Sequence, residues 1–428
     1  MWEEVHGGQA TKVRERDAAP AASSRWHVHC LYQPVVDLYT SAGVGYEALA
    51  RGLPGSPLAT PDRLFAAARA EGQLVELDWA CRGAALQGAL DGRLDTHALF
   101  VNVEPEALGT ESPPELTELW ESSSRRLNTT LEITERALTA RPAEMLYAVE
   151  RLREQGWHFA LDDVGADPSS LALLPLLQPD VIKLDLRLVQ EQPSSEVAAI
   201  MNAVNAERER SGALILAEGI ETEAHRATAL ALGATLGQGW LFGRPEELPT
   251  TLPPPQYMLR PRNARRPMAG TTPFEVVSPV RLVRRGDKRL LIGVSKHLEQ
   301  QAAKLGATAV IVSAFQSVGR FTPLTRGRYA ALAGQAAFVA ALGVGIGEEP
   351  APGVRGAALE PDDSLLGEWS VVVLGPHFAA ALVARDLDDT GSELDRRFDF
   401  ALTYERELVI QAAAALMQRV APLEPLAP

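Results

Sequence analysis

Short apolar runs alternate with longer stretches of helical periodicity from Trp26 to about Pro245. The runs CLYQPVV, VGYEALA, LFVNV, TLEIT, FALDD, VIKLD, LILAEG and LGQGW have the length and composition of strands. Amphipathic segments such as PAEMLYAVERLREQG and AHRATALALG lie between most of them, the latter closing on Gly233, a helix-stop signal. Eight strands with intervening helices over about 220 residues predict a barrel rather than an open sheet. Only DLYTSAG separates the first two strands, too short for a parallel crossover, so they are expected to pair as an antiparallel hairpin. The expected class is α/β: a modified (β/α)8 TIM-type barrel with an antiparallel first strand.

The rhythm breaks at Leu248. LPTTLPPPQYMLRPRNARRPMAGTT, through Thr272, replaces periodicity with proline clusters and arginines and reads as a linker. Its arginines from Arg260 to Arg266 read as solvated linker charge rather than a nucleic-acid or lipid contact. From Pro273, HLEQQAAKLG is helical, ATAVIVSAF and SVVVLG read as buried strands, and TYERELVIQAAAALMQRV reads as a long C-terminal helix. The expected organisation is a lead-in over 1–25, a barrel over 26–247, a linker over 248–272 and a second α/β domain over 273–422. The first residues are charged and then small; they lack the apolar core of a signal peptide and read as a disordered lead-in.

A chain of 428 residues suits two or three domains, and 46% hydrophobic residues can fill their cores. The net charge of −14 argues against broad nucleic-acid binding, so an anionic ligand would need metal ions or focused arginines. Two cysteines, Cys30 and Cys81, exclude a disulfide framework and fit a reducing cytoplasm. No apolar run of about 18 residues appears, so no membrane span is expected.

In a β/α barrel, chemistry sits at the C-terminal ends of the strands. Those ends carry Gln33, Glu47, Asn102, Glu132, Asp162 with Asp163, Lys183, Glu218 and Gln238. One acid at a strand end usually caps the next helix, but polar residues in register on eight strands exceed that explanation. Carboxylates crowded into one mouth repel each other and call for cations. All-oxygen ligation suits Mg²⁺ or Mn²⁺ rather than zinc or copper. His27 and His29 in WHVHC read as packed or solvent-facing. Several acids around two metal ions suit in-line attack on a phosphodiester. Lys183 is placed to orient a water or neutralise a phosphate oxygen, and Arg51 to grip a phosphate bidentately. An enolase-like barrel using Lys183 as a base beside Mg²⁺ fits the acids too, but accounts less well for Gln33, Asn102 and the paired aspartates.

YQPVVDL, GYEALAR, FVNV, LEITE, FALDD, IKLD, AEGIETEAH and GQGWLFGRP, in that order, resemble the motifs of EAL-domain cyclic di-GMP phosphodiesterases over about Leu31 to Pro245. The resemblance implies the same modified barrel and hydrolysis of cyclic di-GMP to linear pGpG. It implies Glu47, Asn102, Glu132, Asp162, Asp163 and Glu218 as metal ligands for two ions, with Lys183 positioning the attacking water. Glu218 is the implied general base, Gln33 and Arg51 are substrate contacts, and Gln238 lies beside the metals. Glu135 resembles the acid that anchors the loop after the sixth strand, and Glu221 the second acid of EGIE. The resemblance also implies a homodimer through the barrel.

One stretch departs from the family. Where members read close to DDFGTGYSS, this chain reads DDVGADPSS, placing Val164, Ala166, Asp167 and Pro168 in the loop. Asp167 lacks the freedom of glycine and Pro168 restricts it further, so the loop takes another path. The expectation is a site that keeps its metals and cyclic di-GMP while turnover is weak or conditional. The competing reading is an inactive cyclic di-GMP receptor acting through a protein partner. Beyond the linker, SKHLEQQA, VIVSAFQSVGRFTPLTRGRYAALA, LLGEWSVVVLGPHFAAALVARD and DRRFDFALTYERELVIQAA resemble the DICT sensory domain, which implies regulation of the barrel. Phe315, Phe321 and Trp369 read as core, His377 as structural, and the glycines near Gly345 as a turn.

Overall fold

The computed structural model describes residues 25–134, 141–166, 169–191, 194–255, 271–389 and 392–421. The lead-in and the arginine run from Arg260 to Arg266 lie outside them.

Eight strands close into a barrel in sequence order: β1 (Val28–Asp37), β2 (Gly43–Gly52), β3 (Ala98–Asn102), β4 (Asn128–Thr134), β5 (His158–Val164), β6 (Val181–Leu184), β7 (Leu214–Ala217) and β8 (Leu236–Gln238). β1 is antiparallel to both of its neighbours, β2 and β8, and the other pairs are parallel. The short β1–β2 connection allows nothing else. Around the barrel run α1 (Pro61–Ala70), α2 (Leu74–Asp91), α3 (Thr117–Arg126), α4 (Pro142–Glu154), α5 (Ser169–Leu177), α6 (Leu186–Gln190), α7 (Ser195–Ser211) and α8 (Glu223–Ala231).

The two-residue period of a strand builds the site. Val35, Val44, Phe100, Ala160, Val181, Leu216 and Leu236 pack together as an apolar plug inside the barrel. Stepping two residues from this layer keeps the same face. The step takes Phe100 to Asn102, Ala160 to Asp162, Val181 to Lys183, Leu216 to Glu218 and Leu236 to Gln238. In β1, which runs the other way, the polar residue comes first: Gln33, then Val35. The plug seals the bottom and every next inward position faces the mouth.

The second unit is a seven-stranded sheet in the order β12-β11-β10-β13-β14-β15-β9. Its strands are β9 (Arg284–Asp287), β10 (Val310–Ser317), β11 (Phe338–Val344), β12 (Arg355–Ala358), β13 (Glu368–Leu374), β14 (Ala379–Asp386) and β15 (Arg397–Thr403). Its helices are α9 (Pro273–Val277), α10 (Lys288–Leu305), α11 (Pro323–Ala333) and α12 (Arg406–Met417). The inner strands β10, β11, β13 and β14 are rich in apolar residues because both faces of the sheet are covered there, whereas the edge strand β9 is RRGD and exposed. Ile311, Val371 and Val373 pack with Leu291, Leu298 and Tyr329 of α10 and α11, while Val310, Val312 and Val372 join a core with α12 and the barrel helices. Phe315 and Phe321 pack against Tyr329, and Trp369 meets Phe398, so these rings are structural. α12 is buried along Ala412 to Met417 and packs on α4 and α5, and Glu407 pairs with Arg210 at the end of α7. Among the described residues no helix is long and apolar enough to cross a membrane.

Gly239 shows how tightly the mouth is closed. A Cβ there would lie 2.1 Å from the Ile220 carbonyl oxygen and 2.3 Å from its amide nitrogen. Both are backbone atoms, so Gly239→Ala is expected to lower unfolding free energy by about 2–3 kcal/mol in chemical denaturation. Gly43→Ala, where nothing lies within 4 Å, should change it by less than about 0.5 kcal/mol. Equal effects at both positions would contradict the packing described.

Candidate metal centre at the barrel mouth

Lys183 is 1% exposed and stands at the centre of the mouth. Its Nζ lies 2.8 Å from Glu132 Oε1, 2.8 Å from Glu218 Oε1, 3.1 Å from Asp162 Oδ1 and 3.8 Å from Glu47 Oε1. Strand register sets this convergence, since Gln33 pairs with Glu47 and Asn102 with Glu132 across adjacent strands. Glu47 accepts from Asn102 Nδ2 at 2.9 Å and from Gln238 Nε2 at 2.5 Å. Gln238 Nε2 also reaches Gln33 Oε1 at 3.1 Å, and Gln33 donates to the Gly243 carbonyl at 3.0 Å.

Asp162, Asp163 and Glu218 bring carboxylate oxygens within 4.8 Å of one another. Asp163 adopts φ +55°, a left-handed conformation that aspartate tolerates better than most residues. Its amide donates to Asp162 Oδ1 at 3.0 Å. Gly165 then turns the chain at φ +97°, where a Cβ would meet Leu188 Cδ1 at 2.7 Å.

Burial, together with the neighbouring Glu47 charge, holds the Glu132 carboxyl well above its ordinary range. Burial pushes Glu218 up to about 8, with Lys183 opposing and Asp162 adding to the rise. Burial acts upward on Glu47 as well, but Lys183 and the amides of Gln238 and Asn102 outweigh it and hold it low. Burial disfavours the Lys183 ammonium, yet the surrounding carboxylates, Asp162 foremost, keep it charged. Glu132 Oε2 and Gln238 Oε1 are buried without a hydrogen-bond partner. Unpartnered buried oxygens beside crowded carboxylates are the donor set a hard cation takes, so the residues present fit divalent metal.

Above the acids a cavity of about 1050 Å³ opens, lined by Arg51, Asn102, Glu132 and Asp163 among others. Arg51 faces it from β2 while its Nη1 donates to the Ala50 carbonyl at 2.8 Å. The expected mouth residues are therefore assembled, apart from Glu135, which lies outside the described residues with Asp167 and Pro168. The rim holds residues not anticipated from the strands: Phe65 and Arg69 of α1, Arg141, and Tyr147 of α4. Pro61, Phe65 and Arg69 recur every four residues, a one-face signal that could have identified that wall. His27 is exposed, as expected for a residue outside the ligand set.

The family model described as EAL domain matches residues 16–245, and that described as Sensory domain in DIguanylate Cyclases and Two-component system, DICT, matches residues 279–387. Cyclic di-GMP phosphodiesterase RocR of Pseudomonas aeruginosa is 33% identical over 225 residues, covering 50% of this chain and 56% of its own length. Cyclic di-GMP phosphodiesterase NbdA of the same organism is 33% identical over 224 residues, covering 50% of this chain and 28% of its own length. The solved manganese/cy-diGMP complex of Klebsiella pneumoniae BlrP1 at pH 9.0 aligns with a TM-score of 0.46 at 28% identity, covering 52% of this chain and 57% of that one. The match thus takes in little more than half of RocR and less of NbdA.

In metal-free protein, Glu132 and Glu218 hold protons in the folded state that they release when unfolded, from the ordinary carboxyl value of 4.5 up to about 8 for Glu218. Folded protein then binds more protons than unfolded protein, so this contribution to stability is full below that window and is lost as pH rises through it. Thermal midpoints in EDTA should fall between pH 5 and 8. Mg²⁺ or Mn²⁺, which competes with those protons, should raise the midpoint more at pH 8 than at pH 6. A midpoint at pH 8 unmoved by either ion would contradict a metal centre.

Proposed function

We propose that this chain, which belongs to the EAL-domain family, hydrolyses cyclic di-GMP to linear pGpG at its barrel mouth with two divalent cations, Mg²⁺ or Mn²⁺. The supporting observation is the charge around Lys183. With the protons of Glu132 and Glu218 displaced, the five carboxylates Glu47, Glu132, Asp162, Asp163 and Glu218 against one ammonium leave four negative charges, the charge that two divalent ions bring. Asn102 completes an all-oxygen ligand set with those acids. When bound, such ions supply an acidified water and positive charge for the developing phosphorane.

The chain's own groups do the rest. Lys183 holds the attacking water in line. Glu218, its proton displaced when the cations bind, presents a carboxylate that takes a proton from the water. Arg51 grips a phosphate oxygen, Gln33 contacts the nucleotide, Gln238 steadies Glu47, and Glu135 anchors the loop after β6. Water adds at one phosphorus and its proton passes to Glu218. The P–O3′ bond breaks, and the 3′-oxygen leaves with a proton from solvent, giving a 5′-phosphate and a 3′-hydroxyl.

The loop after β5 makes turnover conditional. Val164 is fully buried beside Leu184, and Ala166 closes a turn onto the Asp163 carbonyl at 3.0 Å. α5 follows this loop and carries α12 of the second domain, which gives that domain a lever on Asp163. The homodimer contact is assigned to the same loop. The rewritten loop also supports a second reading, a cyclic di-GMP receptor that signals through a protein partner. Free thiols at Cys30 and Cys81 suit a cytoplasmic setting.

Incubation of the full chain with cyclic di-GMP and Mn²⁺, with pGpG followed by chromatography, separates the readings: cyclic di-GMP bound without product supports the receptor. Glu47→Ala should lower turnover by about 10³-fold or more, because one missing carboxylate unbalances both ions. Lys183→Ala should cut kcat by about 10²-fold with a small change in KM; a loss confined to KM would make it a substrate clamp. Ala166→Thr, Asp167→Gly and Pro168→Tyr together should raise kcat about tenfold, equivalent to ~1.4 kcal/mol of barrier. Val164 is left in place, since a phenylalanine there would overpack a filled site by about 1–3 kcal/mol. A wild-type rate of ~1–10 per second with no gain from the rewrite would show the loop to be an alternative working form.

A further inference from the structure

A second group of charges lies at the edge of the C-terminal sheet, where β10 ends at Ser317, β14 ends at Asp386 and α10 begins at Lys288. β10 and β14 are each antiparallel to β13, so both present their carboxyl ends here. Lys288 Nζ and an Arg320 guanidinium nitrogen both contact Glu393 Oε1, and Arg396 Nη1 lies 3.6 Å from the same oxygen. Arg396 Nη2 contacts Asp386, which also accepts from Gln316 Nε2 at 3.0 Å and from the Asp388 amide at 3.0 Å. Gln316 and Asp388 hold left-handed φ values of +62° and +56°, which turn both strand ends around the cluster.

The arrangement is lopsided for a simple surface ion pair. Three cations meet one carboxylate oxygen, and Arg396 Nη1 is buried without a hydrogen-bond partner. The side chains of Lys288 and Arg396 are 16% and 13% exposed, whereas that of Glu393 is 50% exposed. Arg320 is 32% exposed, so the carboxylate is the most exposed member of the cluster and the part a ligand would displace. Burial, then the charges of Arg320 and Arg396, push the Lys288 ammonium down to about 8, as crowded cations do when their counter-charge falls short. The neighbouring acids are committed elsewhere: Asp389 to Arg397, and Asp395 to Arg289 and Ser392.

We propose that Lys288, Arg320 and Arg396 form an anion-recognition site of the second domain, filled by Glu393 as an internal stand-in that a phosphomonoester displaces. With Glu393 swung out, three cations against Asp386 leave two positive charges, matched to a phosphomonoester dianion rather than a monocarboxylate. The α10 N-terminus adds its own positive field. The site is independent of the barrel reading.

The test uses the full chain in EDTA at constant ionic strength, with inorganic phosphate as the probe in titration calorimetry and acetate as the monocarboxylate control. Glu393→Gln should bind one phosphate at least tenfold more tightly than wild type, with no saturable acetate binding. Adding Lys288→Gln and Arg320→Gln to that variant should abolish the gain. Phosphate binding by Glu393→Gln no tighter than by wild type, or undiminished in the triple variant, would overturn the proposal. If Glu393→Gln does not fold, phosphate must raise the wild-type thermal midpoint and fail to raise that of Arg320→Gln; equal shifts in both would overturn it.

Discussion

Everything at the barrel mouth depends on one buried ammonium. At separations near 4 Å and an effective dielectric of about 20, a pair of carboxylates repels by ~4 kcal/mol, and several such pairs converge here. Lys183 stands among Glu132, Glu218, Asp162 and Glu47 and offsets part of that repulsion. Burial and the same crowding raise the proton affinity of the Glu132 and Glu218 carboxyls. A carboxyl whose proton affinity is raised by burial and by neighbouring carboxylates is one where a cation competes with the proton. Fold stability, metal affinity and the supply of a base are therefore linked through the same few carboxyls.

The barrel was legible in the sequence because its determinants are local. Strand period, the length of DLYTSAG and the polar residue two positions beyond the plug residue in β3, β5, β6, β7 and β8 are all readable along the chain, and the closed eight-stranded barrel agrees. The antiparallel β1 followed from connection length alone. The mouth residues were legible for the same reason, since period 2 fixes which face Asn102, Asp162, Lys183 and Glu218 share.

What the sequence could not supply depends on contacts distant along the chain. Phe65 and Arg69 reach the cavity because α1 folds over the mouth; their spacing marks a shared helix face, but not what that face meets. The packing of α12 on α4 and α5 is invisible in the alanine-rich stretch before Met417, which suits any buried helix. The cluster of Lys288, Arg320, Glu393 and Arg396 joins three separate segments, and its members look like ordinary surface charges when read singly. Gln33 sits where period predicts, yet its amide is engaged by Gly243 and Gln238, a commitment only the closed barrel reveals.

The central claim is that the acids around Lys183 are assembled for cations. Equilibrium dialysis of the full chain against Mn²⁺ at pH 8, with free Mn²⁺ read by its paramagnetic resonance, tests it directly. The account predicts two saturable Mn²⁺ per chain in the presence of cyclic di-GMP, with Glu132→Gln binding fewer. No saturable Mn²⁺, or binding unchanged by Glu132→Gln, would contradict it.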